Sequence, residues 1–311
     1  MSNVPRVTPS TLTTASMGTI LDGKAIASRL HGALQRELAA LRGRPTLAIL
    51  SFQTPGSELY RKSQDQHAAS LGIRTSGSAY PVETTPAMVE QVIQRWNQDP
   101  AIHGIFVHQP LPKQLDPQRI SAIIDPRKDI EGIHPQNSAR RFFAKARIGS
   151  CTALAVMELI DEALKLGGGS LEGQEAVVVG HSEIVGRPVG MLLLDRLATT
   201  TVCHVATRSL EQHVNRADVL VVAVGKPRLI KGAWIKPGAI VIDVGINVVE
   251  GRVVGDVEFE AAKQRAAFIS PVPGGVGPVT VMMVMKNTVE AFKLQHGESG
   301  QSPSGTVPPK G

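Results

Sequence analysis

Short apolar runs that stop at a glycine or a polar turn alternate along the chain with stretches whose apolar positions recur every three or four residues. Residues 46–51, 104–107, 176–179, 219–224 and 240–244 are the runs. Their length and β-branched content predict strands buried on both faces. Weaker strand patterns lie at 78–82, 200–205, 253–257 and 268–269, and 20–24 reads as a short strand or turn. Helical spacing covers 25–41, a segment ending at Leu71 before Gly72, 87–97, 117–124, 152–166, a stretch opening at Pro188, 210–217 and 279–294. Strand and helix in alternation predict an α/β fold with a mainly parallel sheet. In such sheets ligands sit beyond the carboxyl ends of strands, where 53–57 and 108–112 fall.

Punctuation divides the chain. Gly167-Gly168-Gly169 breaks a helix, and a second unit begins near Cys151. At about 150 residues per domain, 311 residues make two. The first is expected over 18–150 and the second over 151–278. The last helix, 279–296, is expected to return to the first domain, because the second already has its sheet. Ser57 is positioned to cap the helix that follows it. Lys128 to Asn137 reads as loop, and 271–278 as a rigid Pro/Gly loop. The Ser/Thr-rich residues 1–17 and the Ser/Pro/Gly-rich residues 297–311 read as disordered extension and tail.

Composition narrows the function. The net charge is +6 and the pI about 9.5, yet the basic residues are scattered. Arg140, Arg141, Lys145 and Arg147 form the one cluster, without aromatic interleaving, which argues against nucleic acid and fits a small polyanion. Two cysteines, Cys151 and Cys203, give neither a disulfide framework nor metal-ligand spacing, so no metal is expected and a cytoplasmic setting is. No stretch is long and apolar enough to span a membrane, and the N-terminus lacks the apolar core of a secretory signal.

The chemistry centres on Gly180-His181-Ser182-Glu183-Ile184-Val185-Gly186-Arg187-Pro188. An apolar run, a small polar turn and a helix start in succession predict a dinucleotide phosphate site, with backbone amides and the helix dipole facing the anion. Gly180 permits the sharp turn and Gly186 the close packing of helix on strand. An NAD site carries an acid at the end of the next strand; here that strand runs into Thr207-Arg208. A cation at Arg208, with His181 nearby, suits a 2′-phosphate, so NADP is the expected cofactor and NAD the alternative.

These motifs, with Val224-Gly225-Lys226-Pro227, Asp243-Val244-Gly245-Ile246-Asn247, Gly255-Asp256-Val257 and above all Pro271-Val272-Pro273-Gly274-Gly275-Val276-Gly277-Pro278, resemble the methylenetetrahydrofolate dehydrogenase/methenyltetrahydrofolate cyclohydrolase family. The similarity covers nearly all of 21–292. It implies two α/β domains around a cleft, the second Rossmann-type, in a homodimer. It also implies NADP-dependent oxidation of 5,10-methylenetetrahydrofolate in one-carbon metabolism, followed by hydrolysis of the methenyl product. By the resemblance, Tyr60 stacks on folate; Gln109, Asp129, Pro273, Gly274 and Gly275 contact it; and Gly180, His181, Ser182, Val185, Gly186, Arg187, Pro188, Arg208, Gly225 and Ile246 hold the dinucleotide.

The folate half departs from the family pattern. The lysine of Tyr-x-x-x-Lys is Gln64, with Lys62 on another face of the helix. Val-Gln-Leu-Pro-Leu-Pro is Val107-His108-Gln109-Pro110-Leu111-Pro112, and the aspartate of Lys-Asp-Val-Asp-Gly is Glu131. Hydride transfer needs no proton from the protein and is served by positioning of the two rings. Hydrolysis needs a group that ionises near neutrality, which Gln64 is not. The expectation is a dehydrogenase with impaired cyclohydrolase activity, with Tyr60, Gln64, His108 and Glu131 at the reacting centre. His108 is either a lining residue or a replacement base. An enzyme for another pterin, or a folate- and NADP-binding paralogue acting without catalysis, are the alternatives.

Overall fold

The computed structural model describes residues 17–143 and 146–297. The expected extension apart from Met17, the tail beyond Gly297, and Lys145 of the basic cluster lie outside the described residues.

The first half runs β1 (Thr19–Ile20), α1 (Gly23–Ala39), β2 (Thr46–Phe52), α2 (Pro55–Leu71), β3 (Arg74–Ser76), β4 (Ala79–Tyr80), α3 (Pro86–Gln98), β5 (Gly104–Val107), α4 (Pro117–Ile123) and α5 (Pro135–Phe142). The central strand β2 is buried along its whole length. It pairs in parallel with β5 on one side and with β3 and then β4 on the other. The strand expected at 78–82 is the short β4, and β3, just before it, was not expected. Gly77 separates them at φ 99°, where a Cβ would meet Ile49 O at 2.2 Å. Thr54, not Ser57, caps α2 by accepting the Ser57 N–H, which frees the Ser57 hydroxyl for the interior. The stretch read as loop up to Asn137 runs into α5, a helix too polar to show apolar periodicity.

The second half runs α6 (Cys151–Gly167), β6 (Glu175–Val179), α7 (Gly186–Asp195), β7 (Thr199–Cys203), α8 (Leu210–Arg216), β8 (Val219–Val222), a 3₁₀ turn at Gly232–Trp234, β9 (Ile240–Asp243), β10 (Asn247–Val249), β11 (Arg252–Val254), α9 (Phe259–Lys263), β12 (Phe268–Ile269) and α10 (Val276–Gln295). Its six-stranded parallel sheet has the order β1-β12-β9-β8-β6-β7. The chain reverses direction across the sheet at β6, so the crevice that binds ligands in such sheets opens where Gly180 follows β6. Two expectations are corrected. Thr19–Ile20 joins this second sheet as its edge, although 18–150 was assigned to the first unit. The last helix begins at Val276 rather than Val279, so the end of the expected loop is its first turn. The segment 253–257 gives β11, which pairs antiparallel with β10 as a separate hairpin.

Helix α10 packs on α1 and α2 of the first half and on α6. One apolar cluster joins Leu47 and Ile49 of β2, the inner faces of α6 and α10, and Val178, Val221 and Ile242 of the second sheet. Asn287 of α10 ties the linking segment by donating to Ile130 O at 2.7 Å and Gly149 O at 2.8 Å.

Candidate active site

Between the two sheets lies a cavity of about 590 Å³. One wall carries Tyr60 of α2, Phe106 of β5, Gln109 and Glu131. Facing it are Ile184, Val185, Gly245 and Ile246, and the segment 271–278 with Pro273, Gly274 and Gly275 closes one side. Of the expected residues, Tyr60, Gln109, Glu131, Pro273, Gly274 and Gly275 of the folate set line this cavity together with Val185 and Ile246 of the dinucleotide set; Gln64, His108, Asp129 and the remaining dinucleotide residues, from Gly180 to Gly225, do not. Lys24, Cys151 and Thr152 also line it and were not anticipated. The available signal for Lys24 was Asp22-Gly23-Lys24 before a helical pattern. Asp22 caps α1, and Gly23 donates to Gly274 O at 2.9 Å. A Cβ at Gly23 would stand 1.8 Å from Gly275 O, so only glycine brings Lys24 this close to the loop.

Gln64 and His108 lie behind this wall, at 0% and 2% exposure. Gln64 Oε1 accepts from His108 Nε2 at 2.7 Å, so Nε2 carries the proton. The other nitrogen, Nδ1, accepts from the Ser57 hydroxyl at 2.7 Å, and Ser57 Oγ in turn accepts the Phe52 N–H at 3.3 Å. Burial, followed by the charge of Arg61, pushes the His108 pKa down to about 4. The ring is neutral at pH 7 and both nitrogens are engaged, so it cannot act as a base on a ligand in the cavity. Its effect is to fix the Gln64 amide, whose Nε2 is buried with no hydrogen-bond partner among the described residues. Gln64 sits beside the Tyr60 phenol, where it opposes the upward shift that burial, Cys151 and Glu131 impose.

Glu131 shows some surface at the cavity while its carboxyl group is enclosed. Burial first, and the charge of Asp129 second, push its pKa up to about 8, so it holds a proton at pH 7. Asp129 was expected to contact folate. It faces inward instead, accepting from His134 N at 2.8 Å, Asn137 Nδ2 at 2.9 Å and Glu131 N at 3.2 Å. Its role in this fold is to shape the segment that presents Glu131 and starts α5.

On the dinucleotide side, Gly180 has φ 127°, and a Cβ there would meet Ala223 O at 2.3 Å; at Gly186 a Cβ would meet Gly180 O at 2.0 Å. Both glycines are steric necessities of the turn. At the start of α7 the backbone amides of Val185, Gly186 and Arg187 are engaged within the turn itself. Ser182 Oγ accepts from Val185 N at 3.2 Å and Gly186 N at 3.4 Å, Ser182 O accepts from Arg187 N, and Pro188 has no N–H. His181 stacks edge-on against His204 at 5.6 Å, Arg208 is exposed just past β7, and Arg187 pairs with Glu183 at 3.3 Å.

Two buried aspartates hold this side. Asp243 accepts from Gly245, Asp256 and Val257 amides at 2.9–3.0 Å. Asp256 accepts from Val224, Gly225 and Asn247 Nδ2 at 2.8–2.9 Å. The Gly225 amide is thus structural, while Ile246 is exposed at the cavity. Burial pushes the Asp243 pKa up to about 6, against the pull of its backbone donors. Among the described residues no cluster of three metal-ligating side chains occurs, and no helix is long and apolar enough to cross a membrane.

The sequence matches the catalytic domain of the tetrahydrofolate dehydrogenase/cyclohydrolase family over residues 21–131 and its NAD(P)-binding domain over 150–296. It is 46% identical over 282 residues to the bifunctional protein FolD of Geotalea uraniireducens, covering 89% of this chain and 99% of that one. Among solved structures it resembles the FolD methylenetetrahydrofolate dehydrogenase/cyclohydrolase of Campylobacter jejuni, with a TM-score of 0.83, 37% identity and coverage of 89% and 99%. It also resembles the Trypanosoma brucei N5,N10-methylenetetrahydrofolate dehydrogenase-cyclohydrolase complexed with NADP and an inhibitor, with a TM-score of 0.83, 38% identity and coverage of 90% and 98%.

Proposed function

The chain belongs to the tetrahydrofolate dehydrogenase/cyclohydrolase family, and from that premise we propose that it oxidises 5,10-methylenetetrahydrofolate to 5,10-methenyltetrahydrofolate with NADP, and that its hydrolytic half-reaction is impaired. The observation that carries the reading is the single cavity that has Tyr60 and Glu131 on one wall and Val185 and Ile246 on the other. NADP supplies the hydride acceptor when bound. Gly180 and Gly186 permit the tight turn beside which it would lie, and His181, Ser182 and Arg208 would hold its phosphates. The mostly apolar walls exclude water from the cation left by hydride loss, and Tyr60 and Pro273 set the plane of the pterin.

At pH 7 the protonated Glu131 carboxyl can donate a hydrogen bond at the cavity, while Gln64, fully buried behind the wall, is not on the cavity's lining. Neither arrangement supplies what hydrolysis demands. Water adding to the methenyl carbon must lose a proton; Gln64 does not titrate, and His108 has both nitrogens engaged. An anaerobic assay with methylenetetrahydrofolate and NADP, following NADPH and methenyl product separately, tests this. Accumulation of methenyl product with NADPH is expected. Consumption of methenyl product well above an enzyme-free control would refute the hydrolytic part, and no NADPH under conditions where NADP binds would refute the whole.

The chain further reads as a cytoplasmic homodimer. Both cysteines are unpaired and buried, as in a reducing compartment. Exposed Leu194, Leu197 and Val202 lie on or just before β7, one edge of the larger sheet. Light scattering coupled to gel filtration reads the mass directly.

A further inference from the structure

A second cavity, of about 580 Å³, adjoins the first. Gln109, Ile133, Ser150 and Ile184 line both, so the two spaces meet at those four residues. Beyond them the second cavity runs between α4, α5 and the start of α7, and its cations are Arg141 and Arg187. The first cavity has one cation on its walls, Lys24.

Arg141 is placed by the fold. Asn137 anchors α5 through Asp129 and through Pro126 O at 2.8 Å. The half-buried guanidinium lies across Gly149, where a Cβ would meet Arg141 Nη2 at 2.5 Å. Among the described residues no carboxylate stands within ion-pair distance of it. Burial lowers its pKa and the more distant Asp195 opposes that; arginine keeps its charge regardless. By contrast, Arg187 is engaged by Glu183 on the same wall, so Arg141 is the charge left over for a ligand.

A folate is long: a pterin, an aminobenzoyl ring, then one or more glutamates with their carboxylates. With the pterin against Tyr60 and Glu131, the anionic end must leave the first cavity. We propose that it leaves past Gln109 and Ile133 into the second cavity, and that Arg141 is the specificity-determining counter-ion for the glutamate tail. This rests on the folate reading above. A guanidinium suits carboxylates because its planar fork donates two parallel hydrogen bonds, and a partly enclosed site weakens them less than open solvent does.

The test compares two substrates, methylenetetrahydropteroate, which has no glutamate, and the pentaglutamyl form of methylenetetrahydrofolate. In Arg141→Leu the KM for the pentaglutamyl substrate should rise about ten-fold or more, as for loss of a charge-assisted hydrogen bond. The kcat, the KM for the tail-less substrate and NADPH binding should stay unchanged, and Arg141→Lys should recover part of the loss. An unchanged KM for the pentaglutamyl substrate, or an equal rise for both substrates, overturns the proposal. Turnover of neither substrate by the wild-type protein overturns the folate reading itself, a separate and recognisable failure.

Discussion

Replacing Gln64 by lysine should raise methenyl hydrolysis by about 10²- to 10⁴-fold, the range a positioned acid–base group contributes. The site is fully buried. A lysine with an ordinary pKa of about 10.4 loses roughly 3–5 units when fully buried, which brings it near neutrality and lets the amine take a proton from attacking water. The neighbours can adapt. His108 now donates from Nε2 to Gln64 and accepts from Ser57 at Nδ1. Moving its proton to Nδ1 lets Ser57 accept and Nε2 receive a hydrogen bond from the new amine. The cost is stability: bringing the lysine pKa down to a working pH of 7 takes at most about 4–5 kcal/mol, a large part of a domain's margin. The assay is therefore run well below the melting transition, with NADPH fluorescence to verify folding, and follows loss of methenyl absorbance against an enzyme-free control. A Gln64→Lys variant that binds NADP and keeps its dehydrogenase rate, yet hydrolyses no faster than the wild type, refutes the argument that position 64 limits hydrolysis.

Three further outcomes follow from the same geometry. Glu131 has its folded pKa raised to about 8, so it is protonated below that pH and its contribution to stability fades as pH rises from its unfolded value through 8. Glu131→Gln should melt higher than wild type at pH 9 with little difference at pH 4, and should remove any fall in folate kcat/KM centred near pH 8; melting curves that stay parallel across pH would contradict the shift. Gly186→Ala forces a methyl onto Gly180 O at 2.0 Å and should cost about 1–3 kcal/mol as overpacking together with most NADPH binding, both visible in thermal melts with and without cofactor. Arg208→Gln should weaken NADP by about ten-fold or more relative to NAD, the scale of a hydrogen bond to a charged group; equal loss for both dinucleotides in titrations would remove the 2′-phosphate assignment.

The strands were the most legible part of the chain. Runs such as Val177-Val178-Val179 and Ile240-Val241-Ile242 are buried on both faces, and a parallel strand in that setting has no polar face to disguise it. Helix α5 was illegible for the opposite reason. Pro135–Phe142 is mostly polar and basic, and what holds it is the tertiary bond from Asn137 to Asp129. Residues two apart in the chain, Asp129 and Glu131, looked alike as folate ligands, and only the count of inward donors on Asp129 separates them. The placement of His108 behind Tyr60 rests on a contact across 44 positions, which no periodicity encodes.

The contrast between the two walls has a physical basis. Asp243 lies against Gly255, where a Cβ would fall 2.0 Å from its carboxylate, and Asp256 lies against Gly245, where a Cβ would fall 2.2 Å away. Each aspartate also holds backbone amides of the other's segment or of the loop at Gly225. Four residues thus constrain one another, so a change at any of them must be met by the other three, and the dinucleotide wall keeps a recognisable pattern. The folate wall is coupled differently. Ser57, His108 and Gln64 form a line of hydrogen bonds that accepts any set of side chains with alternating donors and acceptors. Glutamine in place of lysine and histidine in place of glutamine satisfy that rule together, where neither need do so alone. A double-mutant cycle on melting free energy between positions 64 and 108 should therefore show coupling of at least about 0.5 kcal/mol, as for residues sharing one hydrogen-bond network; strict additivity would mean that the two substitutions are independent.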